Sequence, residues 1–96
     1  MIESIAATED ASALRVNWDN GAVSTLSAAD LRREARDAVS IRERLDHDEV
    51  RVMPGITITG LQQVGAQGVN VQFSDGHDRA IYPFAYLREL SERFDN

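Results

Sequence analysis

Two runs of strict alternation stand out along the chain. Leu14, Val16 and Trp18 alternate with Arg15 and Asn17, and Val69, Val71 and Phe73 alternate with Asn70 and Gln72. A period of two is the pattern of a half-buried strand. Each run ends in a turn signal, Asp19-Asn20-Gly21 in one and Ser74-Asp75-Gly76 in the other, where glycine supplies a positive φ. After each turn comes a short strand and then apolar positions at helical spacing. Those are Leu31, Ala35 and Ala38 in the first half, and Phe84, Leu87, Leu90 (or Ser91) and Phe94 in the second. Ser27 is a good N-cap with Asp30 three residues on, and Pro83 suits a first helical position.

The halves repeat one plan. Gly21 and Gly76 lie 55 residues apart, whereas Leu31-Arg32 and Leu87-Arg88 lie 56 apart, so one register aligns both halves with a single-residue slip. A two-residue loop would set Phe73 against Asp78. A three-residue loop ending on a left-handed glycine pairs Leu14 with Leu26 and Val69 with Ile81, apolar to apolar in both halves, and is the expected hairpin. Residues 2–7 read as a first strand, 13–18 as a second and 22–26 as a third; Ile56, Ile58 and Leu61 begin the second sheet segment. Trp18 and Phe73 occupy matched places and should be buried. The expected fold is α+β: one small single domain over 1–96, built of two pseudo-repeated β-β-β-α units with antiparallel hairpins and two main helices at about 28–38 and 84–94. Helical periodicity also runs on through Ile41, Arg42 and Leu45, and residues 46–55 link the halves.

Composition narrows the chemistry. The 96 residues carry a net charge of −6, which argues against binding a phosphate backbone, so no nucleic-acid partner is expected. All 10 basic residues are arginine. The absence of cysteine excludes disulfides, a thiolate nucleophile, cysteine-ligated zinc and a self-held iron–sulfur cluster. Met1-Ile2-Glu3-Ser4 has no basic n-region, and no apolar run approaches a membrane span. A cytoplasmic protein with no membrane partner is expected; the sequence sets no oligomeric state.

Candidate sites are few. His77 stands beside Asp75 and Asp78, a set that could hold a metal, but a structural site needs four well-placed ligands. A turn histidine that orders its hairpin is the expected role. His47 among Asp46, Asp48 and Glu49 reads as a solvated acidic turn. Ser74, Asp75 and His77 are adjacent in sequence, which does not make a triad, and no G-x-x-x-x-G-K loop occurs. No catalytic or cofactor-binding residue is assigned. Tyr82, Phe84 and Tyr86 are expected to anchor the second helix in the core.

Four motifs together resemble a known family: Trp18-x-x-Gly21, Ala29-Asp30-Leu31-Arg32, Ser74-Asp75-Gly76-His77 and Ile81-Tyr82-x-x-x-Tyr86-Leu87. The chain resembles, over roughly residues 12–90, the domain at the N-terminus of gamma-butyrobetaine hydroxylase, which also occurs as small stand-alone bacterial proteins of unknown function. The resemblance implies an α+β accessory domain. In the hydroxylase it precedes an iron/2-oxoglutarate catalytic domain, and a similar domain ends some iron–sulfur scaffold ATPases. It also implies a zinc site of three cysteines and one histidine. Carried over, the histidine falls on His77 and the cysteine positions on Ala35, Asp37 and Ser40, none a thiolate, so the zinc function does not transfer. The site is vestigial by this resemblance, and Asp37 or Ser40 is expected to hydrogen-bond the His77 imidazole instead. The expectation is a non-catalytic module with a protein partner, an iron–sulfur assembly factor or an iron-dependent oxygenase, and no cofactor. The alternative is a degenerate module in which His77 and nearby carboxylates hold zinc or iron weakly.

Overall fold

The computed structural model describes residues 2–94. The elements run β1 (Ile2–Ala7), β2 (Ala13–Trp18), β3 (Val23–Ser27), α1 (Ala28–Arg33), α2 (Ala38–His47), β4 (Ile58–Val64), β5 (Gly68–Phe73), β6 (Ala80–Pro83) and α3 (Phe84–Phe94). They form two three-stranded antiparallel sheets, ordered β1-β2-β3 and β4-β5-β6. The α+β architecture is therefore present, each half a three-stranded sheet followed by helix, but the first half carries two helices, α1 and α2, where one was expected.

The two hairpin turns are alike bond for bond. Gly21 N–H donates to the Trp18 carbonyl and Trp18 N–H to the Ala22 carbonyl; Gly76 N–H donates to Phe73 and Phe73 N–H to His77. Gly21 and Gly76 have φ of 88° and 89°, a left-handed backbone that glycine adopts without steric cost. In the first half Leu14 faces Leu26, as the alternation predicts.

The second hairpin departs from the expected register. Val69 faces Tyr82, not Ile81, and Val71 faces Ala80. The returning strand holds one extra residue between His77 and Ala80, a bulge braced by Asn70, whose Nδ2 donates to the carbonyls of Asp78 (2.9 Å) and Ala80 (3.1 Å). A one-residue shift exchanges the faces of a strand. Tyr82 is thereby buried, whereas Ile81 is 48% exposed. This bulge is the physical origin of the 55-against-56 slip.

One core serves both halves. Leu14, Val16 and Trp18 from β2 join Val69, Val71 and Phe73 from β5 in a single cluster with Leu31, Tyr82, Leu87 and Leu90. Trp18 and Phe73 are both buried, as expected. Besides its own half, α3 packs against β3 of the first half, so neither unit closes its core alone.

The helix expected over 28–38 is shorter than its periodicity suggests. Ser27 caps it, accepting from Asp30 N–H at 3.0 Å, but α1 ends at Arg33 with Glu34 as C-cap, and α2 begins separately at Ala38. Helix ends leave backbone carbonyls without intrahelical partners, and here side chains from elsewhere satisfy them. Tyr82 Oη donates to the Leu31 carbonyl, Tyr86 Oη to Glu34, and Arg44 to both Arg33 and Ala35. Asp37 then restarts the helix as an N-cap, accepting from Ser40 N–H. One local expectation changes as a result: Ala38 is exposed rather than aligned with Leu31 and Ala35. Arg33 pairs with Asp30 at 2.8 Å. The linker is shifted two residues on, between His47 and Ile58, since α2 runs through His47 and Asp48 ends it with φ of 68°.

Candidate functional site

The break between α1 and α2 sits over the turn of the second hairpin, and five polar side chains close a ring there. His77 Nε2 lies 2.9 Å from Asp37 Oδ1. Ser40 Oγ donates to the same oxygen at 2.8 Å, and Ser40 N–H donates to Asp37 Oδ2 at 3.2 Å. Arg32 Nη1 donates to Ser40 Oγ at 3.0 Å, and Arg32 Nε donates to Asp75 Oδ2, also at 3.0 Å. Asp75 Oδ1 accepts from His77 N–H at 2.8 Å, which returns the chain of bonds to His77. An ionised Asp37 only accepts, so Nε2 carries the proton in this contact.

The ring is largely shut off from water. Asp37 and His77 side chains are 8% and 10% exposed, and Ser40 is fully buried. A buried charge needs a partner or hydrogen bonds: Arg32 is paired with Asp75, and Asp37 is held by hydrogen bonds from Ser40 and His77. Burial alone would push the Asp37 carboxyl up; hydrogen bonds from the Ser40 hydroxyl, His77 and the Ser40 N–H outweigh it and hold the carboxyl below its ordinary range. Among the described residues, no buried side-chain nitrogen or oxygen lacks a partner.

The positions singled out in the sequence therefore separate. Asp37, Ser40 and His77 meet, and Asp37 and Ser40 are joined directly. Ala35 is buried close by in sequence but offers only a methyl group. Asp75 belongs to the ring through Arg32, whereas Asp78 is exposed on the bulge. His47 is exposed with Asp46, Asp48 and Glu49; the stretch is solvated as expected, but Asp46 and His47 belong to the last turn of α2 and not to a turn of their own. Sequence reasoning did not assign Arg32 a role. Nothing in its local spacing marks it, since it lies 43 residues from Asp75.

A four-ligand zinc site does not fit these residues. Ala35 has no donor atom, the Ser40 hydroxyl is engaged by Arg32 and Asp37, and the Arg32 guanidinium sets a positive charge against the cluster. Among the described residues, no three His, Cys, Asp or Glu side chains converge as metal ligands. Nor is any helix among them long and apolar enough to cross a membrane.

Comparison with known proteins agrees with the fold. A crystal structure of a protein of unknown function of the DUF971 family from Acidithiobacillus ferrooxidans superposes with a TM-score of 0.74 at 24% identity, covering 94% of this chain and 91% of that one. Two solution structures superpose with TM-scores of 0.76 and 0.70, at 26% and 21% identity. They cover 96% and 97% of this chain, and 69% and 73% of those chains. No curated protein matches. The model of the family described as gamma-butyrobetaine hydroxylase-like, N-terminal, matches residues 5–88. With that match spanning both halves and the ring between them, the chain belongs to the gamma-butyrobetaine hydroxylase-like N-terminal domain family.

Proposed function

We propose that this domain is a non-catalytic accessory module that acts by binding a protein partner. The observation that carries this reading is the closed ring itself. Arg32, Asp37, Ser40, Asp75 and His77 form a largely buried polar cluster, and each is hydrogen-bonded to another member. A catalytic site keeps a nucleophile, base or oxyanion donor aimed at a substrate position. This ring aims its groups inward and ties α1, α2 and the second hairpin together, which leaves function to the surface. Family membership supports an accessory role, and the resemblance suggests a partner in iron–sulfur assembly or an iron-dependent oxygenase.

Affinity capture from the native host, followed by mass spectrometry, tests the reading. Specific enrichment of an iron–sulfur assembly factor or an iron-dependent oxygenase supports it; turnover of a small molecule by the isolated chain would overturn it. The alternative, weak zinc or iron held through His77 and Asp37, rests on their direct contact. Elemental analysis of tag-free protein and His77→Ala distinguishes the two. Stoichiometric metal lost with His77 favours the alternative, and metal-free protein of unchanged fold favours the accessory module.

A further inference from the structure

The helix α2 is held in place with almost no apolar burial. Between Ala35 and Val50, both buried, Ser40 is the one buried residue. Leu45 is 79% exposed, Val39 57% and Ile41 43%. The helix has 10 residues, and isolated helices shorter than about 12–15 residues are marginal in water. Its Arg42–Asp46 pair is exposed and 3.8 Å long, and such pairs add little. Tertiary bonds therefore hold α2, and they are polar. Arg32 donates to Ser40 Oγ, His77 Nε2 meets Asp37, Arg44 donates to the Arg33 and Ala35 carbonyls, and Glu43 Oε1 accepts from Arg51 N–H.

The remainder of the domain keeps its own bonds without these. Asp37 and Ser40 are the ring members that α2 supplies. Arg32, Asp75 and His77 stay joined in their absence, because Arg32 Nε donates to Asp75 Oδ2 and His77 N–H to Asp75 Oδ1. The end of α1 likewise keeps Tyr82 on the Leu31 carbonyl and Tyr86 on that of Glu34. Leu31 and Ala35 lie in the shared core, and the Arg36 guanidinium sits 3.6 Å from the centre of the Tyr86 ring. Those contacts fix the chain up to the edge of α2. On the far side Asp48 leaves the helix in left-handed backbone, and Val50 is buried again. Residues 37–49 thus hang between two fixed points, with a break in the helix at each end.

We infer that α2 is a strap that opens as one unit between Arg36 and Val50, latched by Asp37, Ser40 and Arg44, while both sheets, α1 and α3 stay folded. Cooperative local opening falls to segments with few buried apolar contacts, and α2 is such a segment. Opening withdraws Asp37 from His77 Nε2 and Ser40 from Arg32 Nη1 together. Access to both groups is then governed by one local equilibrium. The inference stands apart from the accessory role, which requires no opening.

Amide hydrogen exchange of the intact chain at neutral pH, in water and in low concentrations of urea, tests it. Amides from Ile41 to His47 should share one protection factor, at least about tenfold below those of β2 and β5. Their exchange should respond little to urea, because that response scales with the surface exposed on opening. Arg44→Met and Ser40→Ala should each speed exchange throughout α2 at least about tenfold. Val16→Ala, in the core on β2, should speed exchange in β2 and β5 and leave α2 as in the parent. Graded protection along α2 or exchange of α2 in step with β2 and β5 would overturn the inference. So would an α2 indifferent to Arg44→Met and Ser40→Ala, or one accelerated by Val16→Ala.

Discussion

Replacing Asp37 by alanine removes the residue that joins most of the ring at once. Its carboxylate caps α2 through Ser40 N–H, accepts from the Ser40 hydroxyl and meets His77 Nε2. Loss of an N-cap costs about 1 kcal/mol. The imidazole N–H, 10% exposed on its side chain, loses its acceptor, and a buried donor left unsatisfied costs about 1–3 kcal/mol. The Ser40 hydroxyl can turn elsewhere, so it adds little. The expected loss is roughly 2–4 kcal/mol, a large share of the roughly 5–15 kcal/mol typical of a domain. Urea unfolding followed through the fluorescence of buried Trp18 measures it directly. Asp37→Asn keeps a capping oxygen but gives up the charge, and a second experiment uses that difference. The folded carboxyl titrates below its ordinary range, so its contribution is present above the unfolded pKa. It is lost as pH falls through the folded value. The stability gap between the parent and Asp37→Asn should therefore be constant near neutrality and close as the solution becomes strongly acidic. A cost for Asp37→Ala below about 0.5 kcal/mol, the range of ordinary surface changes, would refute the reasoning. So would a gap that ignores acidification.

Truncating Trp18 or Phe73 to alanine should cost roughly 3–5 kcal/mol each in the same titration, because both rings are buried in the shared core. Gly21→Ala and Gly76→Ala should each cost about 1–2 kcal/mol and match one another, since nothing crowds either position and only the left-handed backbone penalises the methyl group. Tyr82→Phe leaves the ring in place but strips the Leu31 carbonyl of its donor; a loss of about 1–3 kcal/mol is expected, with amide exchange rising first in α1.

Much of this protein was legible from its residues. Alternation at Leu14, Val16 and Trp18 and at Val69, Val71 and Phe73 specified two central strands, because a period of two has one buried face and register follows from it. Asn20-Gly21 and Asp75-Gly76 specified the turns, since only glycine enters left-handed backbone freely. Such signals are local, and local signals survive without a tertiary context. The meeting of His77 with Asp37 came from family resemblance, not from spacing, and the geometry bears it out. Three features belonged to the tertiary structure alone. The bulge before Ala80 is fixed by burial of Tyr82 and by Asn70 reaching across to two carbonyls, which no window of residues 77–80 contains. The end of α1 at Arg33 depends on Tyr82, Tyr86 and Arg44 satisfying its last carbonyls; Tyr82 and Tyr86 come from 51 and 52 residues away. Arg32 enters the ring for the same reason: its charge is tolerable in the interior only because Asp75 from the far hairpin is delivered to it.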